Sequence, residues 1–155
     1  MGLGYIGLPT AAMFATYGKH VLGVDVNRKV IESLRRGQIH MKGPGFEAFV
    51  RSALDSGRLE VDIEPAPADV FILAVPTPCR DDQKPDVSYV QRAARMIVPC
   101  LGPGNRVILE SASPPGTTVG LIPILEESGM RVGEDLLLAH SPEQVLPGRI
   151  LAKLV

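Results

Sequence analysis

Three glycines near the start of the chain are spaced as in a phosphate-binding loop. The sequence opens MGLGYIGLPTAAMFATYG, in which Gly2, Gly4 and Gly7 match the pattern G-x-G-x-x-G. In that pattern the first glycine forms a tight turn, the second lets a pyrophosphate approach the backbone, and the third lets the next helix pack closely. A helix that begins directly after the loop directs free N–H groups at the phosphates. The spacing therefore predicts a dinucleotide site.

Asp25 gives this site a second chemical group, because it ends the β-rich run HVLGVDV that follows the first helix. An acid at that position accepts hydrogen bonds from the adenosine ribose and repels a 2′-phosphate, which favours NAD over NADP. Arg28 leaves NADP open, since a nearby arginine can accept a 2′-phosphate. Asn27 is expected to cap the next helix. Asp25 alone is also compatible with S-adenosylmethionine or flavin.

Short apolar segments alternate with helical segments along the rest of the chain. We predict helices over residues 8–17, 28–36, 46–56, 87–101 and 117–128, and strands over residues 20–26, 58–63, 70–75, 106–111 and 135–140. This alternation predicts an α/β fold, a doubly wound parallel sheet of the Rossmann type with helices on both faces. The strand before the glycine loop is the central one in that fold. Only Met1 stands there, so we expect the first strand to be lacking.

Composition narrows the class of protein. The 155 residues carry a net charge of −1 and 45% hydrophobic residues, without a Lys/Arg-rich run. No apolar run approaches the ~18 residues of a membrane span. We therefore expect one domain over residues 1–155, located in the cytoplasm, with no nucleic acid or membrane as partner. Cys79 and Cys100 lack metal-type spacing, so we expect no metal site and two ordinary buried or half-buried thiols.

Several motifs together resemble one enzyme family. The stretches GLGYIGLP, GVDVN, AVPTP, LESASPPGTT and SPEQVLPGR are similar to those of the UDP-glucose/GDP-mannose dehydrogenase family, and within it to the branch that acts on UDP-N-acetyl-D-mannosamine. The resemblance runs from Gly2 to Val155. It implies oxidation of the C6 alcohol of a UDP-sugar to a carboxylate, with two NAD consumed per turnover and a cysteine that holds the intermediate.

The resemblance also implies roles for individual residues. Cofactor contacts would come from the glycine loop, from the strand end that carries the acid, and from the loops after two core strands: Gly2, Gly4, Tyr5, Ile6, Gly7, Asp25, Asn27, Arg28, Val75, Pro76, Thr77 and Ser111. Glu143 would be the catalytic carboxylate that helps to activate water for thioester hydrolysis. Val145 and Leu146 would lie along the nucleotide sugar.

The chain departs from the family pattern at specific positions. Ala112 stands where the family has a threonine that helps to hold a catalytic water, and Gly43-Pro44-Gly45 replaces Glu-Pro-Gly. The family's nucleophilic cysteine and sugar-binding domain lie downstream of Val155, so we expect no turnover from these residues alone. The resemblance implies a homo-oligomer for the full-length enzyme. The alternative is a stand-alone dinucleotide-binding module without catalysis.

Overall fold

The computed structural model describes residues 1–41, 43–79 and 85–142. Its helices are α1 (Gly7–Thr16), α2 (Arg28–Arg35), α3 (Phe46–Asp55), α4 (Ser88–Ile97), α5 (Thr117–Gly120) and α6 (Ile122–Leu125), with 3₁₀ turns at Val98–Cys100 and Glu126–Ser128. Its strands are β1 (Val21–Val24), β2 (Leu59–Asp62), β3 (Val70–Leu73), β4 (Arg106–Leu109) and β5 (Leu137–His140). The described strands form two parallel sheets, β1–β2 and β3–β4–β5, so the predicted α/β class with parallel strands is confirmed.

The first compact unit contains residues Gly2–Glu64. Strands β1 and β2 pair in register, with Val21 opposite Leu59 and Val24 opposite Asp62. Helices α1, α2 and α3 bury apolar side chains in the core of this unit: Leu8, Ala12, Ile31, Leu34, Phe46 and Val50. Asn27 caps helix α2 as the sequence predicts, because its side chain accepts a hydrogen bond from the Lys29 N–H at 3.1 Å.

The second compact unit contains Met1 and the described chain over residues 65–142. Its core is formed by one face of the β3–β4–β5 sheet, by helices α4 and α6, and by the residue between α5 and α6: Phe71, Leu73, Val90, Ile97, Leu109, Leu121 and Leu125. Met1 pairs with the outer edge of β3, since its amino group donates to the Ile72 carbonyl at 2.7 Å and its carbonyl accepts from the Ala74 N–H at 2.8 Å. Met1 therefore makes hydrogen bonds that a strand residue would make there.

Two predictions about local structure are wrong, and one predicted strand is more exposed than the others. The single helix over residues 117–128 is divided into α5, α6 and a 3₁₀ turn, because Pro123 lacks an N–H and its ring opposes a continuous helix. Strand β5 is mostly exposed, with Leu137 52% exposed, although the segment is apolar in sequence. Cys79 is exposed rather than buried, while Cys100 is half-buried as expected.

Within the described ranges, every helix is too short or too polar to cross a lipid bilayer.

Candidate dinucleotide-binding site

The glycine loop is fixed to strand β1 by its first two residues. Gly2 has a φ of 88°, a left-handed conformation that favours glycine, and its N–H donates to the Val24 carbonyl at 2.7 Å. The next side chain, Leu3, is only 2% exposed and packs over Gly23 of β1. A Cβ atom built on Gly23 would lie 2.8 Å from Leu3 Cδ2, so a larger residue at position 23 would force the Leu3 side chain to shift.

The residues after this anchor present unused hydrogen-bond donors. Within the described part of the chain, none of the four N–H groups from Gly4 to Gly7 donates a hydrogen bond. The first backbone bonds of α1 come later, from the Leu8 N–H to the Gly4 carbonyl at 3.2 Å and from the Thr10 N–H to the Ile6 carbonyl at 3.1 Å. The positive end of the α1 dipole reinforces these donors. A row of free N–H groups at a helix N-terminus fits a pyrophosphate.

The space in front of this row is open. A Cβ atom built on Gly4 would meet nothing within 4 Å, and the neighbouring Tyr5 side chain is 59% exposed. Ile6 is half-buried and Gly7 is buried at the start of α1. An anion can therefore reach the backbone at Gly4, as the second glycine of the motif requires.

The carboxylate of Asp25 lies directly beside the glycine loop. Its Oδ2 accepts a hydrogen bond from the Leu3 N–H at 2.8 Å, and its Oδ1 accepts one from the Asn27 N–H at 2.8 Å. Each carboxylate oxygen has a further lone pair, so Asp25 can still accept hydrogen bonds from ribose hydroxyls. The Arg28 side chain is exposed and makes no hydrogen bond or ion pair with the described residues.

The residues of the unit Gly2–Glu64 fit the adenosine half of a dinucleotide. The free N–H groups match the acceptor oxygens of a pyrophosphate, and the strand-end carboxylate matches the hydroxyls of an adenosine ribose. Asp25 contacts the glycine loop through Leu3 and the following turn through Asn27, while the cofactor roles of these residues and of Arg28 stay predictions. The nicotinamide of a bound dinucleotide would supply the hydride acceptor, and the residues described above would bind and orient its adenosine half.

A second group of predicted residues lies at the carboxyl edge of the β3–β4–β5 sheet. The Thr77 hydroxyl donates to the Ala112 carbonyl at 2.6 Å, and His140 Nε2 lies 3.4 Å from the Ser111 carbonyl. These contacts connect the loops that follow β3 and β4 with the end of β5. Ligands of open α/β sheets bind at this edge. Val75 is half-buried and Pro76 is exposed in the same loop as Thr77.

Ser111 is a structural hydrogen-bond donor in this group. Its side chain is buried, and its hydroxyl lies 2.7 Å from the Val75 carbonyl and 3.2 Å from the Leu73 carbonyl. The single proton of this hydroxyl is therefore engaged with the main chain, which leaves only the oxygen lone pairs for any further contact. The Ser113 Oγ is buried and has no hydrogen-bond partner among the described residues.

Three predicted residues belong to the end of the chain, and two residues contribute to the site without having been predicted. Glu143, Val145 and Leu146 lie outside the described residues. The contributions of Leu3 and Gly23 to loop position were missed by the sequence reasoning. A glycine inside the strand pattern HVLGVDV was the available signal, because such a glycine marks a close approach of another chain segment.

The comparisons with known proteins agree with this geometry. The whole chain, residues 1–155, matches the sequence profile of the NAD-binding domain of the UDP-glucose/GDP-mannose dehydrogenase family. The chain belongs to that family and is an NAD-binding domain of it. In a 163-residue alignment it is 44% identical to the UDP-N-acetyl-D-mannosamine dehydrogenase of Escherichia coli K12, covering 100% of the chain and 39% of that relative.

Solved structures of relatives share the fold. The UDP-N-acetyl-mannosamine dehydrogenase Cap5O from Staphylococcus aureus superimposes with a TM-score of 0.94 at 48% identity, over 99% of this chain and 38% of that one. The GDP-mannose dehydrogenase from Pseudomonas aeruginosa superimposes with a TM-score of 0.89 at 27% identity, over 97% of this chain and 37% of that one. The family resemblance and the Rossmann-type fold predicted from the sequence are confirmed. The chain spans about 38% of the length of these relatives.

Proposed function

We propose that this chain is the NAD-binding part of an enzyme that oxidises the C6 alcohol of a UDP-sugar to a carboxylate. The observation that carries the proposal is the row of N–H groups from Gly4 to Gly7, which have no acceptor among the described residues and lie beside the Asp25 carboxylate. Support also comes from the match of residues 1–155 to the family's NAD-binding domain and from relatives that are UDP-sugar dehydrogenases. The UDP-N-acetyl-D-mannosamine branch is the proposed substrate class, and polysaccharide biosynthesis is the proposed setting.

In this proposal the glycine loop binds the pyrophosphate of NAD through main-chain donors, and Asp25 accepts hydrogen bonds from the adenosine ribose. Asp25 also disfavours NADP, because a 2′-phosphate would bring further negative charge against its carboxylate. Asn27 and Arg28 lie next to the ribose in the same scheme. The remaining cofactor contacts implied by the family resemblance stay predictions: Val75, Pro76, Thr77 and Ser111.

The other roles in the scheme rest on the family resemblance. Glu143 is proposed to help activate water for hydrolysis of the thioester, and Val145 and Leu146 to contact the nucleotide sugar. The chain is proposed to be one NAD-binding domain over residues 1–155 that works in the cytoplasm as part of a homo-oligomer, with no nucleic acid or membrane as partner. Turnover then requires the nucleophilic cysteine and the sugar-binding domain that the family resemblance implies.

The cofactor assignment is tested by titrating NAD, NADP and S-adenosylmethionine into the protein that contains this chain, with binding measured by calorimetry. We expect NAD to bind more tightly than NADP, and Arg28→Ala to weaken NADP binding more than NAD binding. Preference for NADP or S-adenosylmethionine in the unmodified protein would contradict the assignment.

The reaction is tested by incubating the same protein with NAD and UDP-N-acetyl-D-mannosamine. We expect two NADH formed for each uronic acid formed, because oxidation of an alcohol to a carboxylate removes four electrons. A non-catalytic dinucleotide-binding module is the second candidate function, and Ala112 favours it because the neighbouring Ser111 hydroxyl is engaged with main-chain carbonyls. NAD binding without NADH formation from any UDP-sugar would select this second candidate.

A further inference from the structure

We propose that Asp25 positions the phosphate loop, in addition to binding the ribose. This inference rests on the proposed NAD site and deepens it. The carboxylate holds the Leu3 N–H, and through Leu3 it sets the direction in which the next four N–H groups point. One side chain then controls both the pyrophosphate half and the ribose half of the site.

The contacts of Leu3 support this role. Its N–H donates to Asp25 Oδ2 at 2.8 Å, and this bond joins residues 22 positions apart in the chain. Its side chain is 2% exposed, so the backbone at this point lies against the core and away from bulk water. A buried N–H that loses its acceptor carries the full cost of desolvation, and the loop will move to find another partner.

The second oxygen of Asp25 keeps the carboxylate in place. Oδ1 accepts the Asn27 N–H at 2.8 Å, in the turn that leads from β1 into α2. Asn27 in turn caps α2 through the Lys29 N–H. The Asn27 N–H therefore fixes the carboxylate at the end of β1, while the same carboxylate accepts the Leu3 N–H of the loop. Its orientation does not depend on a bound ligand.

The direction in which pyrophosphate affinity changes distinguishes the two roles of Asp25. Inorganic pyrophosphate contains no ribose, so Asp25 can influence its binding only through the loop or through charge. If Asp25 served the ribose alone, removal of its negative charge would leave pyrophosphate affinity unchanged or raise it. If Asp25 positions the loop, the same removal lowers pyrophosphate affinity.

The experiment compares Asp25→Ala, Asp25→Asn and the unmodified protein, with Asp62→Asn as the matched control. Asp62 ends the neighbouring strand β2 with a partly exposed carboxylate, and within the described chain its side chain contacts Ile63 and Arg35 rather than the loop. Pyrophosphate affinity is measured by calorimetry. Amide hydrogen exchange at Leu3 is measured by NMR without any ligand.

We expect Asp25→Ala to weaken pyrophosphate binding about tenfold and to speed amide exchange at Leu3 by a similar factor, the size expected when a charge-assisted hydrogen bond is lost. Asp25→Asn should have an intermediate effect, because its single amide oxygen can accept one of the two N–H groups. Asp62→Asn should leave both readouts unchanged. Urea denaturation checks that each variant is folded, and if the alanine variant is not, the asparagine variant carries the test.

Unchanged Leu3 exchange in the folded Asp25 variants, or pyrophosphate affinity that stays equal or rises, would overturn the inference. Absence of NAD and pyrophosphate binding in the unmodified protein would instead contradict the proposed function. The exchange measurement would still decide whether Asp25 positions the loop, since it needs no ligand.

Discussion

Replacing Gly23 with alanine should disturb the glycine loop without touching any residue that faces a ligand. Gly23 lies in the middle of β1, and the Leu3 side chain packs over it. The added Cβ would lie 2.8 Å from Leu3 Cδ2, 3.3 Å from Leu3 Cδ1 and 3.5 Å from the Glu60 carbonyl oxygen. Carbon atoms in favourable contact are about 3.5–4.0 Å apart. Leu3 must therefore move, although it is 2% exposed and enclosed by core residues.

The cost of this change is set by two opposing effects. Overpacking of a closely packed core costs about 1–3 kcal/mol of unfolding free energy. Replacing glycine with alanine at a compatible backbone position raises the unfolding free energy by about 0.4–1 kcal/mol, because the unfolded chain loses conformational freedom. The φ of Gly23 is not in the left-handed region, so the second effect applies in full. We expect a net loss of about 1–2 kcal/mol.

A double-mutant cycle measures whether Leu3 is the cause. Urea denaturation gives the unfolding free energies of the unmodified chain, Gly23→Ala, Leu3→Ala and the double variant. Leu3→Ala alone should cost about 2–5 kcal/mol through lost burial and a cavity. In that background the alanine at position 23 should be neutral or stabilising, which gives a favourable coupling of about 1–3 kcal/mol between the two sites.

The control is Gly102→Ala, because a Cβ atom on Gly102 would meet nothing within 4 Å and its φ is not left-handed. It should be neutral or slightly stabilising. The reasoning is refuted if Gly23→Ala costs the same free energy with leucine and with alanine at position 3. It is also refuted if Gly102→Ala is as destabilising as Gly23→Ala.

Two further predictions concern the second unit. Ser111→Ala should lower the unfolding free energy by about 1–3 kcal/mol in urea denaturation, since it removes the donor to the Val75 carbonyl. Ser113→Ala should be neutral or stabilising, because its buried hydroxyl has no partner among the described residues. Equal effects of the two substitutions would contradict this reasoning. The Arg131 N–H bonded to the Asp135 carboxylate lowers the pKa of that group below 3.8, so its stabilisation is present above pH 3.8 and is lost as the pH falls through the lowered value. Asp135→Asn should therefore flatten the acid side of the stability–pH curve, and an unchanged curve would contradict the assignment.

The sequence predicts most elements because their boundaries have local causes. Asn27 caps α2 with its own side chain, and Gly129 ends the helical segment before it with a φ of 83°. The exposure of β5 could not be predicted, because burial depends on what packs against a strand and not on its own apolar residues. The break at Pro123 is different, since the proline was visible in the sequence and its effect on a continuous helix was underestimated.

For the candidate site, the sequence predicts which residues take part but not how their hydrogen bonds are shared. The pattern of glycines and the acid at the strand end predicts a dinucleotide site, and the structure brings those residues together. Ser111 is a predicted cofactor contact, and the structure adds that its hydroxyl is hydrogen-bonded at the end of β3, to the Leu73 and Val75 carbonyls. Such competition between main-chain and ligand contacts depends on distances between strands, which a single sequence does not contain.

The glycine loop divides its backbone between anchoring and binding. The N–H groups of Gly2 and Leu3 are used by Val24 and Asp25, whereas those of the next four residues have no partner in the described chain. An anion site of backbone donors binds well only if the donors are held in place before the ligand arrives. Because the two anchors immediately precede the free donors, a small shift at Leu3 is transmitted to all of them. The affinity of this domain for a pyrophosphate should therefore depend as strongly on Gly23 and Asp25 as on the three glycines of the motif.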